Sequence, residues 1–305
     1  MGAAMMPGGP VADAVFAGLR PRIDGLVASG LQPGLGTILV GDDEPSARYV
    51  GMKQDKAREL GLASPHQHLP AGATQDDVLA AIARFNADPA VTAMIVQHPT
   101  PPQIDYEAAI LTMDPDKDAD GAHPTNMGRL ALGMAGPLPC TPAGIEALLA
   151  YYDIPVSGRN VVVLGRGFTL GRPLSMLLSV KRPTANAAVT VVHTGVPDWP
   201  TYTRRADIVI AAAGVPGILQ PEHLTPGVVV VGGGVRYEGR KLLPDVDERC
   251  EEVAGWITPR VGGVGPTTVA MLFRNTVEAA ERFGFALEPE VPDRGSRLRP
   301  PASAS

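Results

Sequence analysis

"VVVLGRGFTLGRP", residues 161–173, decides the fold: an apolar run that reads as a buried strand passes directly into a turn punctuated by Gly165, Gly167 and Gly171, and a helix opens at the last of these. A strand, a glycine-rich turn and a helix in that order is the context in which backbone N–H groups hold a pyrophosphate. The spacing is GxGxxxG rather than the usual GxGxxG, so the stretch reads as a dinucleotide site or, more plainly, as a tight strand–helix turn that binds nothing. "AVTVVHT" (188–194), "DIVIAAAG" (207–214) and "VVVVGG" (228–233) continue the strand pattern and complete an α/β unit. His193, Thr194 and Gly195 stand where many NAD enzymes carry a carboxylate for the ribose hydroxyls. A hydroxyl there, with the guanidinium of Arg166 nearby, suits a 2′-phosphate and favours NADP over NAD, although an exposed loop arginine is also commonly just solvated.

The preceding half has the same grammar. Val15, Leu19, Ile23 and Leu26 recur at helical spacing, with Pro21 expected to kink or divide that helix. "GTILVG" (36–41) reads as a strand, a helix runs from about Ser46 to Gly61, "HQHLP" follows, a helix starts at Thr74, and "AMIVQ" (93–97) is a further strand. This β-α-β-α-β order predicts a parallel sheet covered by helices. Thr141 and Pro142 have the chemistry of an N-cap and a first helical residue. "TTVAMLFRNTVEAAERFG" (267–284) predicts a closing helix, and the stretch from Glu288 to Ser305 has too little apolar content to order itself.

Composition narrows the class. The 305 residues suffice for two domains, and 26 basic against 32 acidic residues give a net charge of -6, which argues against a nucleic-acid surface. Cys140 and Cys250 are far apart and fit neither a disulfide framework nor a zinc site. No apolar run approaches the ~20 residues that span a bilayer, so a soluble, untargeted, cytoplasmic protein is expected.

In "YVGMK" (49–53), Tyr49 and Lys53 lie one turn apart on one helix face. Their chemistry alone does not distinguish a site from a solvated lysine beside a half-buried ring. "VQHPTPP" (96–102) puts Gln97 at the C-terminal end of a strand, where parallel sheets bind ligands, and its prolines restrict the backbone and admit a cis bond. "DPDKDADGAHPTNMGRL" (114–130) spaces its aspartates but lacks the full ligand set of a calcium loop, so no metal is assigned.

YVxxK at 49–53, VQxPxPP at 96–102, KDxDGxHPxNxGRL at 117–130, PCTPxGI at 139–145, GRGxTxGRP at 165–173 and GGVGPxT at 262–268, all in order, resemble the bifunctional methylenetetrahydrofolate dehydrogenase/methenyltetrahydrofolate cyclohydrolases, the FolD family. The resemblance implies a two-domain α/β fold: a folate-binding catalytic domain over 1–140, a Rossmann-type NAD(P)-binding domain over 141–265, and a last helix (266–285) returning to the first domain. It implies that Tyr49 stacks on the folate, Lys53 is catalytic, Gln97 positions that lysine and Asp120 anchors the pterin. Gly262, Gly263, Pro266 and Thr268 would border the substrate, while Gly165, Arg166, Gly167, Gly171, Thr194 and Val235 would border NADP. It also implies tetrahydrofolate derivatives as substrate and a homodimer. The chain departs from the family pattern at Val261 in place of a proline, at Gly232 and Gly233, at His98 and Thr100, and at Gly167 in place of a serine. Those changes motivate two alternatives: a folate- and dinucleotide-binding paralogue with weak turnover, and a cyclohydrolase without efficient hydride transfer.

Overall fold

The computed structural model describes residues 2–238 and 241–287; the expected tail from Glu288 lies outside them. The chain begins in the second unit. Ala4–Met5 (β1) pairs in parallel with Trp256–Ile257, so a first unit counted from residue 1 starts several residues too early. Helix α1, Gly8–Ala28, then runs through Pro21 as one helix rather than dividing there. Pro21 removes only its own N–H, and the carbonyl it would have met belongs to Ala17 on the exposed side of the helix.

Leu35–Val40 (β2), Glu44–Leu60 (α2), His66–Leu69 (β3), Gln75–Ala87 (α3) and Ala93–Val96 (β4) build a parallel three-stranded sheet in the order β3-β2-β4. Local chemistry sets the helix ends. Helix α2 starts two residues before Ser46 because the Asp43 carboxylate accepts from the Ser46 N–H, and it stops where Gly61 takes a left-handed conformation. Helix α3 opens with a reciprocal capping box between Thr74 and Asp77. Two short helices follow, Tyr106–Thr112 (α4) and Pro124–Ala131 (α5).

Cys140–Tyr151 (α6) corrects the reading of Thr141 as an N-cap. The helix begins at Cys140, after Pro139, because the Cys140 N–H finds a partner outside the helix, the Asp120 carbonyl at 3.1 Å. Thr141 and Pro142 therefore fall inside the first turn, where a missing proline N–H is still harmless.

The second unit contains Asn160–Leu164 (β5), Gly171–Ser179 (α7), Ala188–Val192 (β6), Pro200–Thr203 (α8), Ile208–Ala211 (β7), Val229–Gly232 (β8), the antiparallel pair Val235–Glu238 (β9) and Lys241–Pro244 (β10), and Trp256–Ile257 (β11). Its main sheet is parallel, in the order β1-β11-β8-β7-β5-β6. The chain leaves β5 to one side for β6 and crosses back to the other for β7. The glycine turn after β5 thus sits at the switch point of the sheet, the crevice where doubly wound proteins bind ligands. The first sheet switches likewise at β2, whose neighbours are β3 and β4.

Val264–Leu287 (α9) starts three residues before the expected helix and lies against α1 and α6. Met271, Leu272, Phe273 and Val277 share one buried cluster with Leu19 and Ile23 of α1 and with Leu35 and Ala93 of the first sheet, so the last helix completes the core of the first unit. Phe16 meets Phe273 edge to face at 5.9 Å, and Arg22 grips Glu281 with two hydrogen bonds of 2.8 and 2.6 Å. Deeper in, the Asn275 amide donates to the carbonyls of Ala119 and Leu138 at 2.9 and 2.8 Å. An Asn275→Ala variant is expected to lose about 1–3 kcal/mol of stability, since the part-buried Leu138 carbonyl loses its amide donor and the Ala119 carbonyl keeps only the weak Cys140 thiol; a urea titration of the full chain checks this.

Candidate active site

Lys53 leaves the exposed side of α2 and buries its stem toward the end of β4, where its Nζ donates to Gln97 Oε1 at 2.9 Å. The Gln97 side chain cannot rotate freely. Its Nε2 donates to the His98 carbonyl at 2.7 Å, which leaves the oxygen facing the lysine, and its backbone N–H continues the sheet to the Ile38 carbonyl at 2.8 Å. The His98–Pro99 peptide is cis. Lys53, Gln97 and Asp120 line a cavity of ≈ 160 Å3 together with His98, Tyr106 and Thr268.

The charges in that cavity are coupled. Burial holds the Lys53 amine below its usual range, opposed by the nearby Asp120 carboxylate. Asp120 is open to solvent on the cleft side and surrounded by protein elsewhere. Burial in that protein mass raises its pKa, the Asp118 charge adds to the rise, and Lys53 opposes both. Beneath it the fully buried Cys140 thiol is pushed well up, first by burial and then by the two aspartates.

The loop bearing Asp120 is held by groups that composition alone does not single out. Asp118, 2% exposed, accepts from the N–H groups of Gly121 and His123 and from the Asn126 amide, at 3.0, 2.8 and 2.9 Å. Lys117 inserts its ammonium among the carbonyls of Phe85, Asn86 and Asp88 at the end of α3, at 3.0, 2.9 and 2.9 Å. Asp116 pairs with Arg129, and Asp114 caps the turn 115–117. The loop's charges thus serve its own architecture, and among the described residues no group of three or more His, Cys, Asp or Glu side chains is arranged to hold a metal ion.

Of the other substrate candidates, Thr268 reaches the cavity, while Tyr49 stands one helical turn before Lys53, 45% exposed, and does not line it. Gly262 and Gly263 precede α9, and Pro266 lies in its first turn. Val261 is 75% exposed, and the loop does not depend on it for order: the Gly8 N–H donates to the Gly262 carbonyl at 2.8 Å, and Gly263 packs where a Cβ would come within 2.6 Å of the Pro259 carbonyl.

At the second switch point the turn is closed by its glycines. A Cβ on Gly165 would overlap the Ala212 carbonyl, and one on Gly171 the carbonyl of Gly165. Gly167 has open space around it. Helix α7 opens without a side-chain cap: the Arg172 N–H returns to the Gly167 carbonyl at 3.0 Å and Pro173 has no N–H to satisfy. The Gly165 N–H donates to the Val192 carbonyl at 2.8 Å, which brings Arg166 beside the strand end carrying His193 and Thr194. Arg166, Thr194 and Val235 are all exposed. In the run 232–234, Gly232 would tolerate a side chain, Gly233 would press a Cβ to within 2.7 Å of Leu170 Cδ2, and Gly234 lies directly against the Asp245 carboxylate. Asp245 also accepts from the Ala213 and Gly214 N–H groups, at 2.6 and 2.9 Å, and so fixes the loop after β7. The sequence gives no local sign of Asp245, since its partners are backbone groups some thirty residues away.

Among the described residues no helix is long and apolar enough to cross a membrane. The tetrahydrofolate dehydrogenase/cyclohydrolase catalytic-domain model matches residues 6–120, and the NAD(P)-binding-domain model of the same family matches residues 139–283. "Bifunctional protein FolD 1" of Salinispora tropica is 63% identical over 95% of this chain and 95% of its own length. "Bifunctional protein FolD" of Syntrophotalea carbinolica is 60% identical over 92% of this chain and 97% of its own. The crystal structure of the Campylobacter jejuni FolD dehydrogenase/cyclohydrolase superposes with a TM-score of 0.87 at 37% identity, covering 92% of this chain and 99% of that one. The Trypanosoma brucei enzyme, solved with NADP cofactor and inhibitor, gives 0.85 at 35% identity over 93% and 99%. With both domains matched in order and the two switch-point sites in place, this chain belongs to the bifunctional tetrahydrofolate dehydrogenase/cyclohydrolase family.

Proposed function

We propose that the lysine cavity and the glycine turn serve two consecutive steps on one folate: oxidation of 5,10-methylenetetrahydrofolate to the 5,10-methenyl cation, then hydrolysis to 10-formyltetrahydrofolate. The observation that carries this reading is the Lys53–Gln97 hydrogen bond in a cavity shared with Asp120. Asp120 accepts the paired N–H donors of the pterin edge, and Tyr49 stacks on the folate near the reacting carbons. Gly262, Gly263, Pro266 and Thr268 border it. NADP, when bound, supplies the hydride acceptor for the first step. The close approach of backbone at Gly165, Gly167 and Gly171 suits its pyrophosphate, while Arg166 and Thr194 suit a 2′-phosphate and Val235 flanks the ring.

In the second step a water adds to the cationic carbon. Lys53, its pKa depressed by burial, accepts the water's proton and returns one to the ring nitrogen that leaves as the five-membered ring opens. Gln97 keeps the amine aimed. The intact cluster supports turnover over a binding-only role, and Gly233 and Gly234 support an undamaged cofactor wall, because the packing of Leu170 and Asp245 is built around them. The family resemblance further implies a cytoplasmic homodimer, which light scattering on the purified chain tests.

The primary test is spectrophotometric: formation of reduced dinucleotide from 5,10-methylenetetrahydrofolate and, separately, decay of added methenyltetrahydrofolate. A Lys53→Met variant is expected to lose at least about 10²-fold in the decay reaction while binding NADP as before; undiminished hydrolysis removes Lys53 from the mechanism. The amine is the working base only when neutral, so hydrolysis is expected to rise with pH up to a midpoint below the ordinary lysine value of 10.5 and then level off. Because the Asp120 carboxylate favours the ammonium form, Asp120→Asn is expected to move that midpoint to still lower pH. Competitive acylation of Lys53 in the folate-free protein reads the shift, and an upward movement contradicts the coupling. Arg166→Ala is expected to raise KM for NADP about tenfold, the scale of one lost charged hydrogen bond, and to leave KM for NAD unchanged in steady-state assays.

A further inference from the structure

Tyr106, the first residue of α4, belongs to none of the motifs that mark the site, yet it stands in the wall of the lysine cavity. Its other side borders a neighbouring cavity of ≈ 400 Å3, closed opposite by Phe168 and Arg172 of the glycine turn and α7. The ring is fixed by its edge-to-face contact with His98, centroids 5.0 Å apart, and His98 is the residue whose carbonyl holds the Gln97 amide. The phenol therefore sits in the same rigid unit as the Lys53–Gln97 pair. Among the described residues its hydroxyl makes no hydrogen bond, and it is not among the buried, unpartnered side-chain atoms. It faces open space.

The polar groups around the cavity divide sharply by use. Gln97 spends its oxygen on Lys53 and its amide on His98. The Thr268 hydroxyl is engaged with Thr141 and the Val264 carbonyl. Asp120 offers only acceptors. Lys53 has to stay mobile toward the reacting carbon. Two neutral donors on the wall remain uncommitted, the exposed His98 ring and the Tyr106 hydroxyl; of these the phenol is the more enclosed, and burial together with the charges of Asp120 and Asp118 keeps it protonated well above its usual range. A pterin edge that gives its ring N–H and amino hydrogens to a carboxylate presents a carbonyl oxygen as the next atom along, and where binding strips water from that oxygen it needs a donor from the cavity wall.

We propose that Tyr106 is a substrate-binding residue that donates its hydroxyl hydrogen to the pterin carbonyl adjacent to the N–H edge held by Asp120. The proposal rests on the reading of Asp120 as the pterin anchor, and its test separates the two. Tyr106→Phe keeps the ring, its contact with His98 and hence the Gln97 geometry, and removes only the donor. KM for 5,10-methylenetetrahydrofolate and the Kd of tetrahydrofolate are expected to rise roughly five- to tenfold, the scale of one neutral hydrogen bond, with kcat, KM for NADP and the unfolding midpoint unchanged. Asp120→Asn is measured in parallel. Unchanged folate binding in Tyr106→Phe with weakened binding in Asp120→Asn overturns the role of Tyr106 and leaves the anchor standing; unchanged binding in both overturns the anchor as well. A fall in kcat together with a lowered unfolding midpoint in Tyr106→Phe assigns the ring a structural role and also overturns the proposal.

Discussion

The amide of Asn275 joins three stretches of chain that have no local reason to meet. It rises from the last helix and donates to the Ala119 carbonyl, one residue before Asp120, and to the Leu138 carbonyl, two residues before Cys140. The Cys140 N–H then returns to the Asp120 carbonyl, and the Cys140 thiol donates to the Ala119 carbonyl at 3.3 Å. These backbone groups are buried or part-buried, so their pairing fixes the backbone at Asp120 and the entry into α6 together. Through α6 the same tie reaches the second unit: Ile145, Leu148 and Leu149 belong to the hydrophobic cluster that includes Val161 and Val163 of β5. Catalytic loop, closing helix and the start of α6 share one small set of hydrogen bonds, and the apolar face of α6 carries the tie into the cofactor unit.

Much of this was legible from residue pattern. The alternation of buried strands and amphipathic helices gives two parallel sheets, because a parallel pair needs a crossover and a helix is the shortest way to build one. The glycine turn was readable because its constraints are local: Gly165 and Gly171 have no room for a Cβ in a turn that tight. Lys53, Gln97 and Asp120 were legible only through their collinear motifs. On spacing alone Tyr49 and Lys53 are an ordinary helix face, and Tyr49 indeed remains largely on the surface.

What was not legible depends on contacts remote in sequence. Ala4–Met5 is too short to register as a strand and becomes one only because β11 offers it an edge. Thr141–Pro142 carries a good capping signature, overridden because Asp120 supplies a carbonyl to the residue before it. Pro21 was expected to disturb α1, which runs on as one helix with the stranded carbonyl on its exposed side. His98 stood out only as a departure from the family pattern; its carbonyl holds the Gln97 amide so that the oxygen meets Lys53. In each case a local preference loses to a partner that the sequence cannot bring near.

The electrostatics of the cavity follow from the same ties. Lys53 and Asp120 pull each other toward their charged forms, while burial pushes both toward neutrality. Neither tendency is allowed to finish. A fully paired lysine would be too weak a base to take a proton from water, and a fully neutral pair could neither hold the pterin donors nor return a proton. The charge of Asp118 adds to the rise at Asp120, and its carboxylate is held by Gly121, His123 and Asn126. A site built this way keeps its proton-handling groups poised by geometry that the substrate does not have to create, and that is why the supporting residues around Asp120 outnumber the groups that do the chemistry.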